Sequence, residues 1–323
     1  MSTIRDSPEE TATPRPLLGA RTLLLLGVTW AGLMVAWATS DLVLSQAVVA
    51  RDSTLGAIVR LVGDLPGAML TALAVVVAGA GRRRDLPPRR DRAAFLGFVI
   101  LGALPIAYAL AAPLARLDAF GSDWLRTHAS WVASLSIGIS LAFQLAVERA
   151  RPAVPAAARR WAWLTIALNV LLVVVVVGVL KILWGRARFY ELDAVGVDFT
   201  PWFLPQGPNG HVSFPSGHTA WAWLGLPLLA LVADASARTR AWVIAGIVAL
   251  GLVVAIGRVR LGAHYASDVT FSTGAAVFLL ALADRWLRRR DQSPRAKPTS
   301  AATSVARSAS ESTSSSGKPT TTD

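Results

Sequence analysis

The sequence predicts an all-α, polytopic membrane helix bundle of about eight transmembrane helices. Three observations predict it. Hydrophobic residues fill 54% of the 323 positions and charged residues only 16%, against about 25% charged in an average soluble domain. The arginines fall in blocks, and long apolar runs separate those blocks. This composition excludes a disordered chain, and the absence of cysteine excludes a disulfide scaffold or a thiolate metal site. A net charge of +12 suggests nucleic acid when taken alone, but the apolar fraction is too high for that partner.

A helix crossing a bilayer needs about 20 mostly apolar residues. The runs that qualify, in order, are 18–40, 62–81, 93–115, 127–147, 161–184, 217–233, 241–257 and 266–284. The second starts poorly, with Asp64, Pro66 and Gly67 at its head, whereas the fifth carries the unbroken Val173–Val177 run. The sixth and seventh are short. The leader, 1–16, contains Asp6, Glu9 and Glu10, which does not suit a secretory signal. Leader and tail (291–323, rich in Ser and Thr) read as disordered and solvated.

Lys and Arg set the orientation. Alternate connections hold 23 of the 32 cations and the opposite set holds 9, with acidic residues nearly even at 11 and 9. The positive-inside rule therefore places both termini in the cytoplasm and leaves the outer connections with no net charge. Five of the nine outer cations cluster in two segments, around 181–188 and 258–260.

The residues with chemical potential lie in those same two places. Lys181, Arg186 and Arg188 stand where the fifth helix ends. Lys181 and Arg188 are about two helical turns apart, so a continuing helix would put both on one face. Phe214-Pro215-Ser216-Gly217-His218 precedes the sixth run, and Arg258-Val259-Arg260-Leu261-Gly262-Ala263-His264-Tyr265-Ala266-Ser267-Asp268 joins the seventh to the eighth. At helical spacing of four, Asp268 can reach the His264 imidazole. A carboxylate on one ring nitrogen leaves the other free as nucleophile or base. Ser216, Gly217 and His218 occupy a helix start, where unpaired N–H groups favour an anion and Gly217 lets the backbone approach it. Lys181, Arg188 and Arg258 add three fixed positive charges, and Arg suits a phosphoryl group through paired N–H bonds. The constellation suits metal-free phosphoryl transfer: His264 attacks phosphorus, His218 protonates the leaving oxygen and then activates water, and the cations with Ser216 hold the equatorial oxygens.

Lys-x6-Arg, then Pro-Ser-Gly-His, then Arg-x5-His-x3-Asp, at the ends of successive membrane helices, resembles the type 2 phosphatidic acid phosphatase superfamily over about 155–288. The resemblance implies a six-helix phosphatase core within 91–290, built of helices three to eight, with two additional helices in 17–90. It implies phosphate binding by Lys181, Arg188, Ser216, Gly217 and Arg258, a general acid at His218, a nucleophile at His264 and an orienting carboxylate at Asp268. It implies no metal and no cofactor. The expected partners are a lipid phosphate or polyprenyl diphosphate substrate and the surrounding membrane lipids. Two positions depart from the family pattern: Phe189 replaces the Pro that usually follows Arg188, and Gly257 replaces the Ser that usually precedes Arg258.

Neighbouring residues have plainer expectations. Arg186 is read as facing solvent or anionic headgroups, His211 as a loop residue, and Asp64 as a helix cap or a group facing outer water. Trp161, Trp163, Trp184, Trp202, Trp221, Trp223 and Trp242 are read as interfacial anchors. The same active residues would also serve a lipid phosphotransferase. A transporter would instead need charges near the bilayer midplane, and here they stand at helix ends.

Overall fold

A computed structural model describes residues 16–82, 87–117, 121–193 and 197–292, and every regular element among them is helical. Residues Arg15–Arg285 form one compact unit. A second unit comprises Met1–Pro14 and Trp286–Asp323; of its described residues, Arg290 places its guanidinium 5.6 Å from the centre of the Trp286 ring. The leader and tail expected to be disordered lie outside the described residues, apart from Pro16 and the helical backbone at 291–292.

The elements are α1 (Ala20–Val48), α2 (Thr54–Val62), α3 (Leu65–Ala80), α4 (Pro88–Arg116), α5 (Gly121–Ala150), α6 (Ala156–Leu168), α7 (Gly178–Trp184), α8 (Gly217–Ala222), α9 (Ala237–Arg260) and α10 (Ala266–Gln292). Seven helical stretches among the described residues are long and apolar enough to cross a membrane. The difference from eight is at the sixth run. There α8 has six residues and passes into a 3-10 helix, Trp223–Ala230, that contains Pro227. Proline has no N–H to continue an α-helix, and the longer 3-10 rise stretches these 14 residues to roughly 25 Å. Gly217 shares a cavity with Arg258 at the end of α9, and Ser236 caps the opposite end of α9. Residues 217–236 thus run back along the whole of α9.

The second stretch also starts differently. It begins at Thr54, where the Ser53 hydroxyl accepts from Gly56 N at 3.2 Å, and it is interrupted between α2 and α3. Asp64 occupies the N-cap position of α3 but its side chain makes no cap hydrogen bond. Three residues on, α3 crosses α8 so closely that a Cβ at Gly67 would lie 2.1 Å from the Trp221 carbonyl oxygen. Only glycine permits that approach, which fixes the head of α3 against α8.

The fifth stretch is one run from α6 to α7 joined by a π-helical segment, Asn169–Val177, which covers the Val173–Val177 run. Large apolar side chains such as Leu25, Val28 and Val35 of α1 stay exposed in the protein itself, as expected of a surface whose solvent is lipid. Polar side chains tie the helices together. Trp37 Nε1 of α1 donates to Thr270 Oγ1 of α10 at 3.0 Å, Trp223 Nε1 donates to Thr273 Oγ1 at 2.8 Å, and Ser140 Oγ of α5 donates to the Val99 carbonyl at 2.7 Å. The Trp residues do not all stand at the interface: Trp161, Trp221 and Trp223 are buried, while Trp163 and Trp242 are exposed. Trp184 donates to the Trp202 carbonyl at 2.5 Å, and Trp202 donates to Met34 O of α1 at 3.0 Å. These two indoles keep their N–H groups satisfied in this way.

Candidate active site

Three segments distant in sequence meet at one end of the compact unit, around a cavity of about 860 Å³. Lys181, Arg188, Gly217, His218, Arg258 and His264 all line it. Ser216 and Asp268 lie behind the wall, fully buried. The Ser216 hydroxyl caps α8, accepting from Thr219 N at 3.4 Å and Thr219 Oγ1 at 2.9 Å. With only six residues of α-helix behind it, the N–H cluster at Gly217 has a short dipole, and the fixed charge around the cavity comes from side chains.

Lys181 and Arg188 do not converge by the helical spacing expected of them. The helix stops at Trp184, Gly185 takes a left-handed φ of 58°, and Arg188 is extended. The turn at Gly185, rather than a shared helix face, returns Arg188 to the cavity. Lys181 Nζ donates to the Val212 carbonyl at 2.6 Å. Arg188 donates to Tyr190 Oη at 2.7 Å and to Glu191 Oε1 at 3.3 Å. His211 meets that same Glu191 at 3.1 Å and does not line the cavity. Arg258 is 6% exposed, and its Nε and Nη1 have no partner among the described residues. A buried guanidinium with open donors is suited to an anion arriving in the cavity.

His264 sits in the turn before α10 and Asp268 in the first turn of that helix, so the two do not share a helix face as their spacing suggested. The His264 Nδ1 faces Asp268 Oδ2 at 3.4 Å, which leaves Nε2 as the nitrogen on the cavity side. Full burial pulls the His264 pKa down to about 3; the hydrogen bond toward Asp268 opposes that shift, and the charges of Lys181 and Arg258 add to it. The ring is therefore neutral at ordinary pH, with its lone pair available. In solution, the imidazole NMR resonances of His264 are expected to hold the neutral pattern from pH 8 down to pH 5. An ordinary histidine titrates near 6.5 and would switch within that window.

Behind this pair lies a network that residue spacing did not disclose. Arg186 is 1% exposed, not solvent-facing. Its Nη1 donates to Asp268 Oδ1 at 2.6 Å and to Ser267 Oγ at 2.8 Å, and its Nη2 donates to Asp41 Oδ2 at 2.9 Å. The guanidinium lies 4.0 Å from the centre of the Tyr265 ring. Ser213 Oγ at 2.6 Å and Tyr265 N at 3.0 Å donate to the other Asp268 oxygen. A charged group inside a membrane protein needs a charged or dipolar partner, and a search for partners to Asp41 would have pointed here. Through Asp41, α1 reaches the residues that hold His264.

His218 has its own support. Its Nε2 lies 3.2 Å from the Arg60 carbonyl and 3.7 Å from Asp64 Oδ2. Asp64 is fully buried, neither a cap nor water-facing. It accepts from Arg116 Nη1 at 2.9 Å and Nη2 at 2.5 Å, and Tyr108 Oη donates to it as well. Tyr108 stacks on Trp221 with ring centres 4.9 Å apart. These rings, with Val173 and Val177 from the π-helical segment, give the cavity an apolar side. π-Helical turns are rare and often occur at functional sites.

The Gly257 departure has a packing cause. A Cβ there would lie 2.7 Å from Val59 Cγ2 and 2.9 Å from Val59 Cβ, so α2 occupies the space that the usual Ser side chain would take. Phe189 packs edge-on to Tyr265 at 6.4 Å.

The fold and cavity define a multi-pass membrane protein with a histidine- and cation-lined pocket at its helix ends. Residues 162–292 match the PAP2 superfamily model. Phosphatidylglycerophosphatase B of Haemophilus influenzae is 34% identical over 110 residues, which are 32% of this chain and 43% of that relative's length. No solved structure matches the chain. Every site residue expected from the sequence lies within the matched segment, whereas Asp41, Asp64, Tyr108 and Arg116 lie outside it.

Proposed function

We propose that the protein is an integral-membrane phosphatase that hydrolyses a lipid phosphate or diphosphate monoester at the extracytoplasmic face, through a phosphohistidine and without a metal. The observation that carries this reading is the open guanidinium of Arg258 lining the same cavity as His264, whose far ring edge faces a carboxylate. Nε2 of His264 attacks phosphorus in line, the P–O bond to the lipid breaks, and the departing oxygen takes a proton from His218. His218 then removes a proton from water, the resulting oxygen attacks phosphorus, and the P–N bond breaks to release phosphate. Lys181, Arg188 and Arg258 hold the equatorial oxygens, which is most of the catalytic work in phosphoryl transfer.

The lipid substrate is supported by the placement of the cations beside an apolar wall at the ends of membrane helices. The outer face is supported by the division of Lys and Arg, since the site lies on the side with the fewer cations. Among lipids, phosphatidylglycerol phosphate is favoured because the relative is named for that activity.

The test is phosphate release by the purified protein from phosphatidylglycerol phosphate, phosphatidic acid, undecaprenyl diphosphate, lipid A and a soluble sugar phosphate, with and without chelator. Release from lipid phosphates that chelator leaves unchanged is expected. Release confined to the soluble phosphate, or abolished by chelator, would overturn the proposal.

A further inference from the structure

We infer that Asp64 is a positioning residue for the general acid, so that the chain outside the matched family segment supplies the counter-charge to the imidazolium form of His218. The inference rests on the reading of His218 as the acid.

The geometry assigns the two ring nitrogens different tasks. Nε2 lies 3.2 Å from the Arg60 carbonyl, which can only accept, so Nε2 carries a hydrogen in every active state. Nδ1 is then the nitrogen that gains and gives the catalytic proton. When Nδ1 is protonated the ring bears a full positive charge, and two cations face it: Arg258 from α9 and Arg116 from α4. Asp64, from the break between α2 and α3, is the carboxylate set against them, with Oδ2 3.7 Å from Nε2. Arg116 and Tyr108 hold that carboxylate in place, and the Gly67 crossing holds the head of α3 against α8, which carries His218. Asp64 is not among the residues that line the cavity and does not touch the reacting atoms. It acts through His218: the proton passes from Nδ1 to the leaving oxygen as the P–O bond breaks, and Asp64 stabilises the imidazolium that must exist just before.

A poor leaving group needs that proton and a good one does not. The experiment compares dioctanoyl phosphatidic acid, an alkyl ester, with p-nitrophenyl phosphate in wild type, Asp64→Asn and His218→Gln. General acid catalysis contributes about 10²–10⁴-fold, so His218→Gln should lose at least about 100-fold in kcat on the alkyl ester and far less on the aryl ester. Asp64→Asn should lose about 10-fold or more on the alkyl ester, with under threefold on the aryl ester and little change in KM. Its alkaline limb of kcat/KM should also move to lower pH, because the imidazolium has lost its counter-charge. Where Asp64→Asn alone fails to accumulate, Asp64→Glu, which keeps the charge but displaces the carboxylate from its place beside His218, carries the same comparison. If His218→Gln discriminates between the esters and the Asp64 variants slow both equally, or neither, the positioning role is overturned and His218 stands as the acid. If His218→Gln itself fails to discriminate, the acid assignment falls and the inference falls with it.

Discussion

Replacing His264 with alanine is expected to reduce phosphate release by about 10⁴-fold or more in kcat, with the fold intact. The size follows from the role, because removing a covalent nucleophile leaves only binding and electrostatic stabilisation. The remaining cations would still bind substrate, so KM should change little. The protein is expected to tolerate the change. His264 is buried beside the cavity and its Nδ1 makes only a 3.4 Å approach to Asp268, a carboxylate that Arg186, Ser213 and Tyr265 already satisfy. Loss of a small imidazole at the edge of a cavity costs less than loss of a packed core side chain. Purified variant with wild-type elution and thermal unfolding, but no turnover, is the expected result. Turnover within about tenfold of wild type would remove His264 from the chemistry.

Arg186→Ala is expected to act on both stability and rate. The guanidinium pairs with Asp41 and Asp268, all three at about 1% exposure or less. Removing it leaves two carboxylates buried without their cation, and breaking such a pair from one side costs about 3–5 kcal/mol. Survivors should also lose about 100-fold in kcat with KM little changed, a loss of the size seen when the group orienting a site residue is removed. Arg186→Lys keeps the charge but cannot bridge two carboxylates with a planar fork, so it should recover stability better than rate. Equal kcat in a folded Arg186→Ala protein would show that Asp268 is held in place without it.

The amino-acid sequence displayed much of this and concealed a definable remainder. Apolar runs marked the spanning helices because lipid demands long, uncharged segments. The three short motifs marked the cavity because each is local in sequence. The missed features are those made by distance. Arg186 meets Asp268 and Asp41 from 82 and 145 positions away, and the Asp64 pairing with Arg116 spans 52. No spacing rule reaches across such gaps. Their signal was Asp41 directly after the first apolar run and Asp64 inside the second, which requires partners without naming them. The helix boundaries failed at the 3-10 segment after α8 and at the break ahead of α3, where the backbone departs from the α-helix. The Gly257 position was visible as a departure, but its cause, Val59 of α2, appears only when the helices are packed together.

The central claim is that phosphate passes through His264. It is tested most directly by rapid acid-free quenching of the purified protein during turnover of ³²P-labelled phosphatidic acid. The predicted result is a transient protein-bound label that alkali leaves intact and acid releases, as expected of a P–N bond, mapping to His264 and absent in His264→Ala. Steady turnover with no such label, or an acid-stable label on Ser216, would contradict it.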